Sequence, residues 1–280
     1  MNSILILGAS GLLGQALVEN FKSKNLQIGL ASRKPIDYKE ENIRSYSVDI
    51  LDYKSIENLI KEYETIINCT GQITDPINLS LSLNTEGINN IVKAVKKHNK
   101  TLIHISSVSV YGSAEYVNEK SALNPQTPYA SMKCFAEFLI ESNLDKYTIL
   151  RVSNLFGKNQ EKGIVNYLAN SYKNRQNSLY FNNNGDLKRY YLNIEDLASI
   201  VFRLFEKKSS GIYNIVGANL LSIKELVAKF EKILEYKFKV KYSDELSQEN
   251  IDEIDISKIE NLINIESKIN LQKYIRELKL

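Results

Sequence analysis

The stretch Gly8-Ala9-Ser10-Gly11-Leu12-Leu13-Gly14 lies between a short apolar run and an amphipathic segment. The run before it, residues 4–7, is short and rich in branched side chains, which is typical of a buried strand. The apolar residues after it recur at helical spacing: Leu12, Leu13, Ala16, Leu17 and Phe21. A strand that leads through a glycine-rich turn into a helix is the context in which proteins bind the phosphates of a dinucleotide.

The glycines of this turn suit an anion. Glycine lets the backbone turn sharply and lets a pyrophosphate approach where a Cβ would block it. The amides at the start of the helix then face the anion, helped by the positive end of the helix dipole. The spacing is G-x-x-G-x-x-G rather than the commoner G-x-G-x-x-G, and an ordinary tight turn would also use glycine. We predict that six residues of the turn bind the cofactor: Gly8, Ser10, Gly11, Leu12, Leu13 and Gly14.

Length and composition indicate a globular α/β protein. A chain of 280 residues with 43% hydrophobic and 25% charged residues can bury a large core. The net charge of +3 is small and its cations are scattered, which argues against a nucleic-acid or membrane surface. Two cysteines form no disulfide framework, and with two histidines they leave too few ligands for a zinc site. Residues 1–7 lack the basic region of a signal peptide. We therefore expect a cytoplasmic protein without a metal.

Predicted strands and helices alternate along the first half of the sequence. After the first strand, apolar runs predict strands over residues 26–31, 44–48, 65–69 and 102–106, with helices between them. This rhythm predicts a parallel sheet with right-handed crossovers. His104 lies inside the fifth strand and is expected to be a packed core residue without a chemical role.

The end of the second strand bears on the choice of cofactor. In a dinucleotide fold the adenosine ribose lies there, and an NAD site usually supplies an acid. This chain supplies Ser32, Arg33 and Lys34, and its next carboxylate is Asp37. Because a guanidinium and an ammonium favour a 2′-phosphate, we predict NADP as the cofactor, with NAD as the alternative. A merely solvated basic turn is the other interpretation.

Two further strand ends are predicted to contact the cofactor. Asp49 follows the third strand and could accept a hydrogen bond from the adenine amino group. Thr70, Gly71 and Gln72 follow the fourth strand. They form a loop at the carboxyl edge of the sheet, where ligands bind in open α/β folds.

Two short motifs carry the candidate chemistry. The fifth strand ends in a serine-rich run, residues 106–112, and Tyr129 and Lys133 follow four residues apart. On a helix both side chains would project from one face. The ammonium would favour the phenolate, which helps proton transfer because a free phenol has a pKa of ~10. A serine hydroxyl from the strand end could hold a substrate oxygen and share its proton. A tyrosine–lysine pair alone is more often a surface or core pair.

Taken in order, these motifs resemble an extended short-chain dehydrogenase/reductase of the nucleotide-sugar epimerase, dehydratase and reductase group. Besides the glycine turn, the resemblance is carried by residues 84–87, 106–112, 125–133, 151–157, 189–196 and 255–258 with Leu262. It implies an α/β fold with a Rossmann-like doubly wound parallel sheet and a small C-terminal α/β substrate lobe. Residues 1–157, completed by about 187–217, would form the NAD(P)-binding domain. Residues 158–186 and 218–280 would form the lobe.

The resemblance also implies residue roles. Ser107, Tyr129 and Lys133 would be the catalytic trio, with Ser107 chosen because it lies four residues before Tyr111. Tyr129 and Lys133 would contact the cofactor as well, together with Ser32, Arg33, Asp49, Ile50, Thr70, Gly71 and Val152. Substrate contacts would come from Gln72, Ser109, Asn154 and Arg189, the last through a nucleotide diphosphate. The implied substrate is a nucleotide sugar, the implied setting cell-surface polysaccharide biosynthesis, and a homodimer is compatible with the resemblance.

The C-terminal part shows weaker patterns. Helices are predicted over residues 164–172 and 196–205, and strands over 179–181 and 212–216. Ser222 and Glu225 predict a capping box at the start of another helix. The acid-rich residues 244–255 are expected to form a solvated loop.

The residues after Ser107 narrow the choice of reaction. The dehydratases of the group have an Asp-Glu pair there that eliminates water, whereas this chain has Val108 and Ser109, which do neither. A 4-epimerase usually has the NAD-type acid after the second strand, which is missing here. The pattern favours an NADP(H)-dependent reductase of a nucleotide-linked 4-keto sugar or deoxysugar. A 4-epimerase with bound NAD is the alternative, and a catalytically silent dinucleotide-binding protein is the third.

Overall fold

The computed structural model describes residues 3–71, 76–158, 160, 162–176, 178–218, 220–244, 250–265 and 270–279. Within them the strands are β1 (Ser3–Leu7), β2 (Gln27–Ser32), β3 (Ile43–Ser47), β4 (Thr65–Asn68), β5 (Thr101–Ser107), β6 (Ala114–Val117), β7 (Tyr147–Val152), β8 (Asn154–Phe156), β9 (Ser178–Phe181), β10 (Lys188–Asn193), β11 (Gly211–Ile215), β12 (Leu220–Ser222), β13 (Lys239–Tyr242) and β14 (Ile251–Ile254). The helices are α1 (Leu12–Phe21), α2 (Tyr53–Ile60), α3 (Ile77–Ser82), α4 (Ile88–Lys97), α5 (Pro128–Asn143), α6 (Ile164–Lys173), α7 (Ile194–Glu206), α8 (Ile223–Leu234), α9 (Ser257–Glu260) and α10 (Leu271–Glu277).

A seven-stranded sheet forms the centre of the molecule. Its strands are ordered β3-β2-β1-β4-β5-β7-β11, and every neighbouring pair is parallel. The chain builds outward from β1 to β3 and then returns to the other side of β1 with β4. The carboxyl ends of β1 and β4 therefore border the point where the strand order reverses, and ligands bind at this point in such sheets. This confirms the predicted doubly wound α/β fold.

Helices cover both faces of the sheet. On one face, Leu17 of α1 and Val201 of α7 belong to a core that also contains Ile6 of β1. On the other face, α2, α4 and α5 pack against the sheet, as Ile91 and Ile140 illustrate. Because both faces are covered, most residues of the central strands are buried, as expected for a parallel sheet.

A third core joins α6, β9, α8 and α10, and it contains Leu168, Leu179, Phe230 and Ile275. The helix α8 begins with the predicted capping box, in which Ser222 accepts from the Glu225 amide and the Glu225 carboxylate accepts from the Ser222 amide. Ile259 and Ile263, although far along the chain, pack in the first core beside α1 and α7. The division of the chain into two domains stays a prediction.

Two predicted boundaries differ for identifiable reasons. Helix α7 begins at Ile194 rather than at residue 196, because Asn193 caps it by accepting the amides of Glu195 and Asp196 at 2.8 and 3.2 Å. The loop predicted over residues 244–255 is wrong for its last part. Residues 251–254 form β14, which pairs in parallel with β6.

We call residues 250–256 the strap. Its acids face solvent, whereas Ile251 and Ile254 are only 7% and 6% exposed and pack in a small core with Val110 and Tyr111. The strap is also tied to β10, because Asn250 accepts the Lys188 amide at 3.2 Å. The acidic composition of the segment concealed these apolar anchors.

Candidate active site

The glycine turn joins β1 to α1 as a close-packed corner. Gly8 has φ +80°, and its amide donates to the carbonyl of Ala31 at the end of β2 (2.9 Å). A Cβ at Gly14 would lie 2.4 Å from the Gly8 carbonyl oxygen, so α1 starts directly against the turn. Gly11 caps α1 without a side-chain hydrogen bond. The amides of the first helical turn therefore have no capping side chain between them and an approaching anion.

A groove opens at the carboxyl edge of β1 to β4. The described residues that line it are Gly8, Ser10, Gly11, Ala31, Ser32, Arg33, Val48, Asp49, Ile50, Cys69, Thr70, Gly71 and Leu83. Nine of these were predicted to bind the cofactor. At two glycines of this groove a side chain would lack room. A Cβ at Gly8 would lie 3.2 Å from the Cys69 carbonyl carbon, and a Cβ at Gly71 would lie 2.3 Å from Asn84 Oδ1. The uncapped amides and the bare glycine backbone fit a dinucleotide diphosphate.

Six residues predicted for the cofactor are not among those described as lining this groove, and two of them are Tyr129 and Lys133 of α5. Leu13 and Val152 are buried in the first core, and Leu12 packs against that core. Gly14 contributes close packing of α1 on the turn instead. Their contacts with a cofactor stay predictions.

The end of β2 presents a basic side chain. Arg33 is exposed, while hydrogen bonds fix the backbone around it: Ser47 Oγ donates to the Arg33 carbonyl (3.1 Å), and Ser32 Oγ donates to the Lys34 carbonyl. Asp49 is the one acid among the described residues lining the groove, and its Oδ1 accepts the Leu51 amide at 3.0 Å. The groove thus has a cation at the end of β2 and an acid at the end of β3.

Helix α5 carries the candidate acid and its lysine. Thr127 caps the helix by accepting the Ala130 amide (3.2 Å). Lys133 is fully buried, its Nζ donates to the Ile105 carbonyl of β5 (3.2 Å), and Nζ lies 5.7 Å from the centre of the Tyr129 ring. Burial lowers the pKa of Lys133 to about 8, and the negative charge of Glu137 opposes that shift. This geometry places an ammonium next to the phenol.

Ser107 is the last residue of β5. Its Oγ accepts the Ser109 amide (3.2 Å) and so caps the 3-10 turn formed by Val108–Tyr111. The two residues before it bond to α5, Ile105 through Lys133 and Ser106 through Glu137. The strand end that bears Ser107 is therefore fixed against the helix that bears Tyr129 and Lys133.

A second pocket lies beside Ser107. The described residues that line it are Ser107, Val108, Ser109, Ser153, Asn154, Lys188, Arg189, Tyr190, Ile251 and Ile254. It brings together Ser107, Ser109, Asn154 and Arg189, which were predicted to act on or bind the substrate. Pairing of β8 with β10 sets Asn154 opposite Tyr191, two residues from Arg189. Gln72, the other predicted substrate contact, lies outside the described residues.

Sequence reasoning missed a buried polar network that links α5, β7 and β11. Glu137 of α5 and Arg151 of β7 form an ion pair, with Arg151 Nη2 2.7 Å from Glu137 Oε2. Arg151 Nη1 donates to the Tyr111 hydroxyl (2.8 Å), which donates to Asn214 Oδ1 of β11 (2.7 Å). The spacing of Glu137, four residues after Lys133 on the same helical face, was the signal that could have found its first member.

His104 is buried, as the sequence indicates for a core residue, and its Nδ1 pairs with the Asn68 amide nitrogen (3.1 Å). Burial and the charge of Lys133 hold the pKa of His104 well below its usual range, so its ring is neutral. Burial raises the pKa of Cys69 to about 12, so its thiol is neutral as well. Neither group carries a charge at the site.

No described helix combines the length and the apolar character needed to cross a membrane. No group of three or more His, Cys, Asp or Glu side chains among the described residues is arranged to hold a metal ion.

The fold and the two pockets define an extended short-chain dehydrogenase/reductase. A model of the NAD dependent epimerase/dehydratase family matches residues 4–216, which is most of the chain. The chain therefore belongs to the NAD-dependent epimerase/dehydratase family, among NAD(P)-dependent enzymes of the oxidoreductase type.

Named relatives agree with this family. A dTDP-glucose 4,6-dehydratase of Mycolicibacterium smegmatis is 27% identical over 241 residues, which cover 77% of this chain and 72% of the relative. The structure of a dTDP-glucose 4,6-dehydratase of Bacillus anthracis in complex with NAD superimposes with a TM-score of 0.87 at 21% identity, covering 99% and 95% of the two chains. A UDP-glucuronic acid 4-epimerase of Bacillus cereus, in complex with UDP-glucuronic acid and NAD, gives 0.85 at 20% identity, covering 99% of each chain. These two structures establish the shared fold.

Proposed function

We propose that the protein is an NADP(H)-dependent reductase of a nucleotide-linked 4-keto sugar or deoxysugar. One observation carries the preference for a reductase over an epimerase: at the end of β2, where an epimerase usually has an acid for NAD, the chain presents the exposed cation Arg33. The pocket that contains Ser107 argues against a dehydratase only, because it offers Val108 and Ser109 where an eliminating enzyme of the family needs an acid and a base. Neither side chain transfers a proton at neutral pH, so the pocket does not support loss of water. The pocket surface from Val108, Ile251 and Ile254 is apolar, which suits a deoxysugar.

In the proposed mechanism the groove from Gly8 to Asp49 would hold the cofactor, which supplies a hydride when bound. Ser107 Oγ would hold the C4 carbonyl oxygen of the substrate. As C4 is reduced, Tyr129 donates its phenolic proton to that oxygen, and the ketone becomes an alcohol. The Lys133 ammonium, 5.7 Å from the phenol ring, stabilises the phenolate that remains. Arg189 would bind the diphosphate of the nucleotide through its forked donors.

The preference for NADP rests on Arg33, an exposed cation at the end of β2. We expect the chain to bind NADPH more tightly than NADH. Arg33→Ala should abolish this preference, because it removes a charge-assisted hydrogen bond to the 2′-phosphate and so weakens NADPH binding by about tenfold or more. Fluorescence titration of both cofactors measures it. Arg44→Ala, an exposed arginine of β3 that does not line the groove, should leave both affinities unchanged. Equal affinities of the natural chain for both cofactors would refute the preference.

A 4-epimerase with bound NAD is the second candidate. It is favoured by the NAD present in the similar structures. An epimerase reduces the sugar with the hydride it has just removed, so its cofactor shows no net change.

One assay separates the candidates. A panel of nucleotide sugars is tested, with and without a 4,6-dehydratase that generates the 4-keto forms. The reductase should oxidise one NADPH for each 4-keto sugar consumed, seen as loss of absorbance. Conversion of a nucleotide sugar at constant NADPH absorbance would replace the reductase with the epimerase. A catalytically silent dinucleotide-binding protein would bind cofactor and convert none of the panel.

We also propose a homodimer. Four large apolar side chains on α3 and α5 are between 41% and 65% exposed. They are Ile77 and Leu81 of α3 and Phe135 and Phe138 of α5. The two helices touch through Ser80 and Met132. A two-fold axis would bring this uncharged surface onto its own copy, which suits a second chain better than a charged partner.

Light scattering after gel filtration tests the homodimer. Phe138→Glu should produce monomers, because it sets two like charges near the axis. Tyr180→Glu, at a residue of β9 that is 63% exposed, should stay dimeric. A monomeric natural chain would contradict the proposal.

A further inference from the structure

The face of α5 that carries the candidate catalytic pair continues one turn further, to Glu137. Successive residues of β5 meet this face: the Ile105 carbonyl accepts from Lys133 Nζ at 3.2 Å, and the Ser106 hydroxyl donates to Glu137 Oε1. The next residue of β5 is Ser107. Glu137 thus occupies the third position of a row with helical spacing of four, packed against the strand end that bears the candidate catalytic serine.

Two strands, β5 and β7, hold the Glu137 carboxylate. It is fully buried on α5, accepts from Ser106 of β5, and accepts from Arg151 of β7 through Nε at 3.1 Å and Nη2 at 2.7 Å. Arg151 is in turn fixed by the Tyr111 hydroxyl at 2.8 Å. The carboxylate therefore has a single position, one helical turn from the lysine.

Among the described residues, the groups around the Lys133 ammonium other than Glu137 are neutral or positively charged. The negative charge near the ammonium therefore comes from Glu137. Cys69 of β4 is a neutral thiol because burial raises its pKa to about 12. His104 of β5 is neutral because its pKa lies well below its usual range. The Tyr129 ring lies 5.7 Å away, and Arg151 is a cation. Burial disfavours the ammonium and lowers the pKa of Lys133 to about 8, so the opposing carboxylate decides whether it stays charged at neutral pH.

We propose that Glu137 is a positioning residue: it keeps Lys133 as an ammonium beside Tyr129 and fixes the end of β5 that presents Ser107. This role rests on the proposed function, in which the ammonium stabilises the Tyr129 phenolate and helps to hold the cofactor. Without the carboxylate, the buried amine would lose its proton at a lower pH. The phenolate would then form without a cation next to it.

The test compares the natural chain with Glu137→Gln, which keeps the shape of the side chain and one oxygen for Ser106 and Arg151. Lysine side chains labelled with 13C report the titration of Lys133 directly by NMR, with no substrate or cofactor needed. We expect the midpoint of Lys133 in Glu137→Gln to fall by one pH unit or more. The alkaline limb of kcat/KM for the reductase assay should move to lower pH with it, because kcat/KM reports groups of the free enzyme. Glu137→Asp should restore part of both shifts.

The double variant Glu137→Gln/Arg151→Met separates charge support of Lys133 from the pairing with Arg151. It removes both charges of the pair, so it should unfold at a higher temperature than Glu137→Gln, whereas its Lys133 midpoint should stay below that of Arg151→Met. The Lys133 midpoint can also be measured in the double variant if Glu137→Gln does not fold. Because loss of the Arg151 cation by itself raises the Lys133 midpoint, the double variant is compared with Arg151→Met. A Lys133 midpoint that is equal in these two variants would overturn the proposal, because Glu137 would then serve only Arg151.

The outcomes also separate this role from the proposed function. Absence of nicotinamide binding or of 4-keto reduction in the natural chain defeats the proposed function, whatever Lys133 does. A Lys133 midpoint that does not move in Glu137→Gln, in a chain that still binds NADPH and reduces its substrate, defeats the positioning role alone.

Discussion

Replacing Tyr129 with phenylalanine should reduce kcat by a factor of about 10²–10⁴, because the reaction loses its proton donor. The phenyl ring keeps the volume of the side chain and its place on α5, one turn before Lys133. Since Lys133 keeps its bond to the Ile105 carbonyl, the affinity for NADPH should change little. Steady-state kinetics on the 4-keto substrate and a fluorescence titration of NADPH separate the two effects.

A matched control comes from the pocket beside Ser107. Tyr190 lines this pocket, and its hydroxyl donates to the Asp252 carbonyl of the strap at 3.4 Å rather than lying beside a lysine. Tyr190→Phe should therefore lower kcat by less than about tenfold. A Tyr129→Phe enzyme that keeps most of its activity would contradict the assignment of Tyr129 as the proton donor. Equal losses of kcat in both variants would show that Tyr129 has no role that Tyr190 lacks.

The part of the fold near β1 was predictable because its signals are local. The glycine turn lies directly between the apolar run of β1 and the helical stripe of α1, and the alternation that follows specifies parallel strands with crossovers. Even there, the local pattern does not explain why β2 contains a glycine, Gly29. The structure supplies the reason: a Cβ at Gly29 would lie 2.4 Å from Cζ of Tyr63, whose ring crosses this strand.

The strap was not predictable from its composition, because its stability comes from residues far along the chain. Ile251 and Ile254 are separated by two acids, and this local composition predicts a solvated loop. Their burial depends on pairing with β6, well over 100 residues earlier, and on bonds to Lys188. Two apolar residues that line the pocket beside Ser107 therefore could not be predicted in the way that Ser107 and Arg189 were.

The buried ion pair shows the same limit at the site itself. The distance of four residues between Lys133 and Glu137 is visible in the sequence, but the partner of Glu137 is not. Arg151 reaches it because β5 and β7 are neighbours, which sets Ser106 opposite Arg151 in the sheet. Such a pairing follows from strand order rather than from any local pattern.

Arg151→Met should lower the free energy of unfolding by roughly 3 kcal/mol, because it leaves a buried carboxylate without its main partner. The side chains of Arg151 and Glu137 are 3% and 0% exposed, so water does not replace the lost bonds. The variant also removes the donor to the Tyr111 hydroxyl. Urea unfolding of the cofactor-free chain, followed by circular dichroism, measures the loss.

The control for this loss removes both charges at once. Glu137→Met/Arg151→Met should be clearly more stable than Arg151→Met, because apolar side chains of similar volume carry no desolvated charge. A surface pair provides the comparison: Lys224 and Asp186, whose side chains are 49% and 69% exposed, lie 2.9 Å apart, and Lys224→Met should cost less than about 1 kcal/mol. If Arg151→Met unfolded at the same urea concentration as Lys224→Met, the buried pair would not be the fixed framework on which β5, α5 and β7 hold the site.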